Sequence, residues 1–249
     1  MKLAVVMAAF NSEAYVADAL ASLLRQRSAA DLEIIVVNDG STDATAQVVE
    51  QIAQQAPEVR LLSTPNRGPS AARNLAFDSM RPDTELVTNL DADDLSPAGR
   101  FARDVQHFAN DATLDFHYGK MRVFRGTGGE ALDPDPPGRT VDIRGIQFGA
   151  ALFRKQLIDS IGRYDEDLLQ GEDTDYLFRM FQLRPKMKVV DDICVYYRRH
   201  DTNITRDHAP SMRFYARAIL KHAHRQKTGG VPAPRGFFDC HPLENIDWW

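Results

Sequence analysis

Three carboxylates within four residues, Asp91, Asp93 and Asp94, follow directly on the apolar stretch around Leu86, Val87 and Leu90. Like charges this close repel, and each costs free energy to desolvate, so a positive charge is expected among them. Carboxylate oxygens suit a hard divalent cation such as Mg²⁺ or Mn²⁺. Such ions usually bridge one or two carboxylates to substrate phosphates. The same residues also suit a solvated acidic turn ahead of a helix near Pro97, and the motif alone does not separate the two. A second acidic group, Gly171-Glu172-Asp173-Thr174-Asp175, opens an apolar-periodic segment. Carboxylates at a helix start are stabilised by the helix dipole, which makes capping one reading. Beside a metal–phosphate site the other reading is a general base, its pKa lifted by repulsion from the first cluster.

These residues need elements to position them. Leu3 to Phe10 is a continuous apolar run, as expected of a parallel strand covered on both faces. Asn11 or Ser12 can cap a helix carrying Val16, Leu20, Leu23 and Leu24. Glu33 to Val37 is a second buried strand. It ends in the turn cluster Asn38 to Asp43, which can cap a helix with Val48, Val49 and Ile52. Val59 to Leu62 is a third strand, followed by a loop from Thr64 to Ser70 and a helix with Ala72, Leu75 and Ala76. A fourth strand runs to Asp91. This alternation implies right-handed crossovers and a parallel sheet. Ligands of such sheets bind beyond the carboxyl ends of the strands. Phe10-Asn11, Asp39, Asn66-Arg67 and Asp91-Asp93 lie at those ends, so four distant segments should converge on one crevice.

Beyond Pro97 the pattern gives a helix with Phe101, Val105 and Phe108, then strand residues from Leu114 to Val123. The Gly/Pro-rich stretch Arg125 to Thr140 is a surface loop, or a lid on the acceptor side. Phe148 to Phe153 reads as a strand, Leu157 to Ile161 as a short helix ended by Gly162, and Leu177 to Phe181 as another helix. Lys188 to Val190 and Ile193 to Tyr197 are strand-like. Ser211 to His224 is a last amphipathic helix, and the tail ends in Phe237, Phe238, Trp248 and Trp249.

The 249 residues are 43% hydrophobic and 26% charged, enough for a full core in one α/β domain with a helical extension. A net charge of -5 argues against a nucleic-acid partner, which would require a basic face. Cys194 and Cys240 form neither a disulfide framework nor a C-x-x-C metal site, so a reducing compartment is the default. The longest apolar run, Leu3 to Phe10, is too short to span a bilayer. The expectation is a cytoplasmic protein without a transmembrane segment, which could associate peripherally with the inner face of a membrane.

Taken in order, the motifs resemble those of a family 2 glycosyltransferase, nucleotide-sugar-dependent and of the GT-A fold. The resemblance rests on Val5 to Asn11, Glu33 to Asp43, Asn66-Arg67-Gly68-Pro69-Ser70-Ala71-Ala72-Arg73-Asn74, Leu90 to Asp94, Gly171 to Asp175, and Tyr197-Arg198-Arg199-His200. It implies a GT-A, Rossmann-like fold over residues 1–205: a mostly parallel central sheet flanked by helices. Residues 1–95 would form the nucleotide-binding half and 96–205 the acceptor and catalytic half. Residues 206–249 would form a helix and an aromatic tail, packed on the body or on a second copy in a homodimer. Asp39 would accept from a base with a ring N–H, which favours a UDP-sugar. Ala9 and Phe10 would line the base and ribose pocket, with Asn11, Asn66 and Ala92 in the same donor-binding set. Arg67 and Arg73 would approach the diphosphate or brace the acidic cluster, and Asp91 would reach the ribose or the metal shell. Asp93 would ligate Mn²⁺ or Mg²⁺, with His200 as a further contact. Asp173 would be the general base and Glu172 would orient a sugar.

The sequence departs from the family pattern at Ala8, where proline is common, and at Pro97, one residue earlier than usual. It lacks the Q-x-x-R-W motif of processive synthases, which implies transfer of one or a few sugars. A donor-binding protein without turnover and a sugar nucleotidyltransferase are the alternatives. The latter usually begins with a glycine-rich phosphate loop, which Met7 to Asn11 does not provide. No residue names the transferred sugar or the hydroxyl acceptor.

Overall fold

The computed structural model describes residues 1–126, 136, 138–144, 147–203 and 208–228. Its elements in order are β1 (Lys2–Ala9), α1 (Val16–Leu24), β2 (Asp31–Asp39), α2 (Thr45–Ala53), β3 (Val59–Thr64), α3 (Pro69–Ser79), β4 (Leu86–Asn89), α4 (Arg100–Asn110), β5 (Phe116–Arg125), β6 (Thr140–Ile143), β7 (Ala151–Arg154), α5 (Lys155–Ile161), α6 (Glu172–Gln182), β8 (Met187–Arg199) and α7 (His208–Lys227).

A single sheet in the order β3-β2-β1-β4-β7-β5-β6, with β8 paired to β5, forms the centre. The first four strands are parallel, and β1 registers Lys2 to Ala9 against Asp31 to Asn38 of β2. Their continuous apolar sequences follow from burial on both faces: Leu3 to Met7 and Ile34 to Val37 are essentially inaccessible to solvent. The carboxyl ends of β1, β2, β3 and β4 therefore share one edge. Beyond β4 the direction reverses twice, since β7 is antiparallel to β4 and β5 is antiparallel to β7. β8 then runs parallel to β5. Two reversals restore the original direction, so the end of β8 points to the same edge as the ends of the first four strands. A two-bond bridge between Leu95 and Tyr196 ties the segment after β4 to β8 there.

The structure differs from the sequence reading in places. Asn11 and Ser12 do not cap the first helix, which starts at Val16 without a side-chain cap. A turn intervenes, in which the Ser12 carbonyl accepts from Tyr15 and Val16. Phe148 to Phe153 is not one strand. Phe148–Ala150 forms a 3₁₀ turn because the Gln147 side chain accepts the Gly149 N–H at 2.6 Å, and β7 begins only at Ala151. The two strand-like pieces after Lys188 are one strand, with register shifts near Lys120 where the backbone of Gly119 lies against Cys194. Most of the loop between Arg125 and Thr140, and the aromatic tail with Phe237, Phe238, Trp248 and Trp249, lie outside the described residues.

The core behind β5 contains Asp104, His117 and Cys194, whose donor atoms lie within 4.8 Å of one another. Arg100 already compensates this group, with Nε at 2.9 Å from Asp104 Oδ2. Burial pushes the Cys194 thiol up to about 12. A fully buried cluster that already contains a guanidinium is a charge-balanced piece of core, not a cation site.

Candidate active site

The loops at the carboxyl edge are stitched together by their own polar side chains. Asn11, at φ 48, accepts the Thr42 N–H on Oδ1 at 2.8 Å, and its own N–H donates to Ser41 Oγ at 3.0 Å. Such a left-handed conformation is tolerated by Asn because its short side chain can bond locally. Gly40 at φ 73 brings the end of β2 so close to the β3–α3 loop that a Cβ would lie 2.6 Å from the Asn66 backbone nitrogen. Asp39 is buried and holds that loop directly: Oδ1 accepts from the Arg67 N–H at 2.9 Å and Oδ2 from the Gly68 N–H at 2.8 Å. Each carboxylate oxygen still has one acceptor position for a ligand.

Arg73 is the hub of the site. α3 begins with Pro69, whose fixed φ suits the first turn. One turn further on, the Arg73 side chain is only 7% exposed. Its Nη2 donates to Asp91 Oδ1 at 2.9 Å and its Nη1 to Glu172 Oε1 at 2.5 Å, with Asp173 Oδ1 3.7 Å away. Burial opposes its charge, but Asp173, Asp91 and Glu172 more than offset this and raise its pKa further. One guanidinium therefore joins both acidic motifs. The next residue, Asn74, takes the Tyr164 N–H on its side-chain oxygen at 2.7 Å and donates to the Tyr164 carbonyl and to Glu166 at 3.1 Å.

Asp173 sits in the first turn of α6, after Gly171 at φ 69. Burial is the main cause that lifts its pKa, Arg73 opposes it, and the negative charges of Glu172 and Asp91 add to it; the result is about 7. A carboxyl group of that pKa can accept a proton near neutral pH.

The three aspartates after β4 have different surroundings. Asp94 is fully buried, accepting from the Arg198 N–H and from Gln147 Nε2, each at 2.9 Å. Its pKa is raised well above the usual range, mainly by burial and then by Asp93 and Asp91. Asp91 pairs with Arg73. Asp93 faces the end of β8, where its Oδ2 lies 2.9 Å from His200 Nε2. Asn203 Nδ2 is 3.3 Å from the same oxygen, and Asn203 Oδ1 accepts the His200 N–H at 2.7 Å. Tyr15 stacks on the imidazole with ring centroids 4.4 Å apart. Asp93 and His200 thus offer an oxygen and a nitrogen donor together, a mixed set that suits Mn²⁺ better than Mg²⁺, which takes oxygen ligands.

The predicted residues divide accordingly. Arg73, Asp91, Glu172 and Asp173 form one cluster, and Asp93 and His200 form a second, two residues along the same loop. Asp39, Asn66 and Arg67 form the adjacent loop contact. Ala9 and Ala92 are buried, Phe10 is 46% exposed at the rim, and Asn11 binds the neighbouring turn. The Arg67 guanidinium does not brace the acidic cluster; it pairs with Glu166 at 2.7 Å. Sequence reasoning missed Asn74, Glu166, Asn203 and Tyr15. Asn74 was visible within the N-x-G-x-x-x-A-R-N segment, and Asn203 as a turn-forming residue three past His200. Nothing in the sequence marks Tyr15.

Comparison with known proteins follows the same geometry. The sequence profile described as Glycosyl transferase family 2 matches residues 4–162. An uncharacterized glycosyltransferase of Haemophilus influenzae is 36% identical over 93 residues, covering 37% of this chain and 36% of that protein. Staphylococcus aureus TarS, a poly(ribitol-phosphate) beta-N-acetylglucosaminyltransferase, is 27% identical over 205 residues, covering 79% of this chain and 35% of that protein. The crystal structure of its residues 1–349 with UDP-GlcNAc matches with a TM-score of 0.68 at 23% identity, over 91% of this chain and 70% of that one. The mannosyltransferase PcManGT of Pyrobaculum calidifontis, in complex with GDP-Man and Mn²⁺, matches with a TM-score of 0.65 at 19% identity, over 94% of this chain and 66% of that one. These likenesses place the fold among GT-A glycosyltransferases. The chain spans about a third of the length of the first curated relatives it matches. Among the described residues no helix is long and apolar enough to cross a membrane.

Proposed function

The chain belongs to glycosyl transferase family 2, and from that premise we propose that it moves a sugar from a nucleoside-diphosphate sugar, by preference a UDP-sugar, to a hydroxyl acceptor with inversion at the anomeric carbon. The observation that carries this reading is the Arg73 hub, which holds Glu172 and Asp91 and keeps Asp173, with a pKa of about 7, beside them. The acceptor oxygen attacks the anomeric carbon as Asp173 takes its proton. The bond to the diphosphate oxygen breaks, and the leaving group departs with the electron pair. A base on the face opposite the leaving group gives inversion.

Asp93 and His200 are the residues that would hold Mn²⁺ or Mg²⁺. The ion would supply neutralisation of the charge that builds on the departing diphosphate. Arg73 keeps Asp91 oriented beside that loop, and Glu172, held by the same guanidinium, would orient a sugar hydroxyl. Asp39 retains acceptor capacity for the ring N–H of uracil, while its two backbone contacts, to Arg67 and Gly68, fix the end of the β3–α3 loop. TarS with UDP-GlcNAc supports a uridine donor, and PcManGT with GDP-Man and Mn²⁺ supports a metal-assisted site in the same fold.

Two measurements test the proposal. Thermal shift with UDP, GDP and dTDP, each with and without Mn²⁺, should show the largest stabilisation with UDP and Mn²⁺ together. Turnover of a panel of nucleotide sugars should fall about 100-fold or more in Asp173→Asn with donor-induced stabilisation retained. Near-normal turnover by that variant overturns the base assignment.

A further inference from the structure

The connection between α5 and α6 carries the acidic run Asp165-Glu166-Asp167, which has no part in the chemistry above. Its side chains face two ways. Glu166 turns to α3, where Oε1 accepts from Asn74 Nδ2 at 3.1 Å and Oε2 from Arg67 Nη2 at 2.7 Å. Asp165 and Asp167 turn to α7. Asp165 pairs with Lys221, and Asp167 accepts from Arg217 on both its carbonyl and its Oδ2 at 3.2 Å. A third contact follows in the first turn of α6. Buried Asp175 takes Arg225 Nη2 on Oδ1 and Arg179 Nε on Oδ2, each at 2.9 Å.

Arg217, Lys221 and Arg225 are spaced four residues apart and so form one stripe along the helix. His222 of α7 stacks on Phe178 of α6, with ring centroids 4.1 Å apart. α7 therefore grips the chain on both sides of Glu172 and Asp173.

We propose that α7 is a clamp that positions the catalytic carboxylates. Arg225 acts through Asp175, and Lys221 and Arg217 act through Asp165 and Asp167, to fix residues 163–175 so that Asp173 meets the acceptor hydroxyl. The inference rests on the reading of Asp173 as the base. The three pairs do not contribute equally. Arg217 and Asp167 are largely exposed, so their pairing is weak and screened by salt. The Asp175 side chain is 2% exposed, and loss of Arg225 would leave that buried carboxylate with Arg179 alone. Arg225 is thus the principal positioning residue, and it touches no reacting atom.

The test is hydrogen exchange of the full chain, followed by mass spectrometry, in Arg225→Gln and Arg225→Lys. In Arg225→Gln, exchange across 163–175 should accelerate about tenfold while β1 to β4 stay protected; in Arg225→Lys it should stay near wild type. For whichever of UDP-GlcNAc, UDP-glucose and GDP-mannose the wild type turns over, kcat should fall about tenfold in Arg225→Gln with the donor KM unchanged. Unchanged exchange at 163–175, or local opening without loss of kcat, overturns the clamp. If Arg225→Gln opens the whole sheet, the decision passes to the double variant Arg217→Gln/Lys221→Gln. Wild-type exchange at 163–175 in that variant overturns the clamp, and local opening there supports it. Failure of the base reading is read separately: normal turnover by Asp173→Asn refutes it while the exchange result on α7 stands.

Discussion

Asp173 should cost the fold stability at the pH where it works. Its carboxyl ionises near 3.8 in an unfolded chain and near 7 in the folded protein. The folded value is the higher one, so the sign is opposite to that of a salt-bridged carboxylate. Below about pH 4 the group is protonated in both states and contributes nothing. Between about pH 4 and 7 the unfolded chain loses its proton first, and stability falls as pH rises. Above pH 7 the full penalty is present, about 4 kcal/mol from the separation of the two values. Asp173→Asn removes the titration and leaves Arg73 paired with Asp91 and Glu172. Urea unfolding of the two proteins should therefore give a stability difference that grows in favour of the variant by about 2–3 kcal/mol from pH 5 to pH 8. The same variant should lose turnover, so stability and activity move in opposite directions. A difference that stays constant, or that shrinks toward pH 8, would refute the claim that burial raises the pKa of this carboxyl group.

Other outcomes follow from the same contacts. Arg73→Met should destabilise by roughly 3–5 kcal/mol at pH 8, because three carboxylates lose their buried counter-charge; the loss should shrink as pH falls and Asp173 protonates, as followed by urea titration. Asn203→Ala should weaken Mn²⁺ binding about 10–100-fold, since Asn203 Nδ2 lies 3.1 Å from His200 Nε2 and 3.3 Å from Asp93 Oδ2 and its loss frees both; isothermal titration of Mn²⁺ with UDP present reads this directly. Gly40→Ala should lower stability by about 1–3 kcal/mol in thermal or urea unfolding, because its φ of 73 and its approach to the Asn66 backbone both exclude a Cβ. Removing the ion with EDTA should abolish the Mn²⁺-dependent part of any nucleotide-induced thermal shift and leave the ligand-free melting temperature unchanged.

The first half of the fold was legible because its strands carry the simplest pattern. Leu3 to Met7 and Ile34 to Val37 are short, β-branched-rich and apolar without alternation, as a strand covered on both faces requires. The second half was harder, since direction reverses at β7 and again at β5, and no local pattern encodes strand direction. The 3₁₀ turn at Phe148 depends on one side-chain contact of Gln147 that apolar periodicity does not report. Within the site, the expectation of a raised pKa at the second acidic motif rested on repulsion from the first, whereas burial is the larger cause of the shift at Asp173. For Arg67 the sequence left open an approach to the diphosphate or a brace for the acidic cluster; its guanidinium pairs with Glu166, a partner 99 residues away that nothing local signals.

The return of β8 to the carboxyl edge has a consequence for the order in which this protein becomes competent during synthesis. Asp93 and His200 are separated by 107 positions, and among the described residues the strand that delivers the histidine is the last of the sheet in chain order. A nascent chain that has emerged only through α6 already contains β1 to β4 and both acidic motifs, but only one half of the Asp93–His200 pair. On the proposal that Asp93 and His200 hold a cation, affinity for it should therefore arise late, only once β8 has docked.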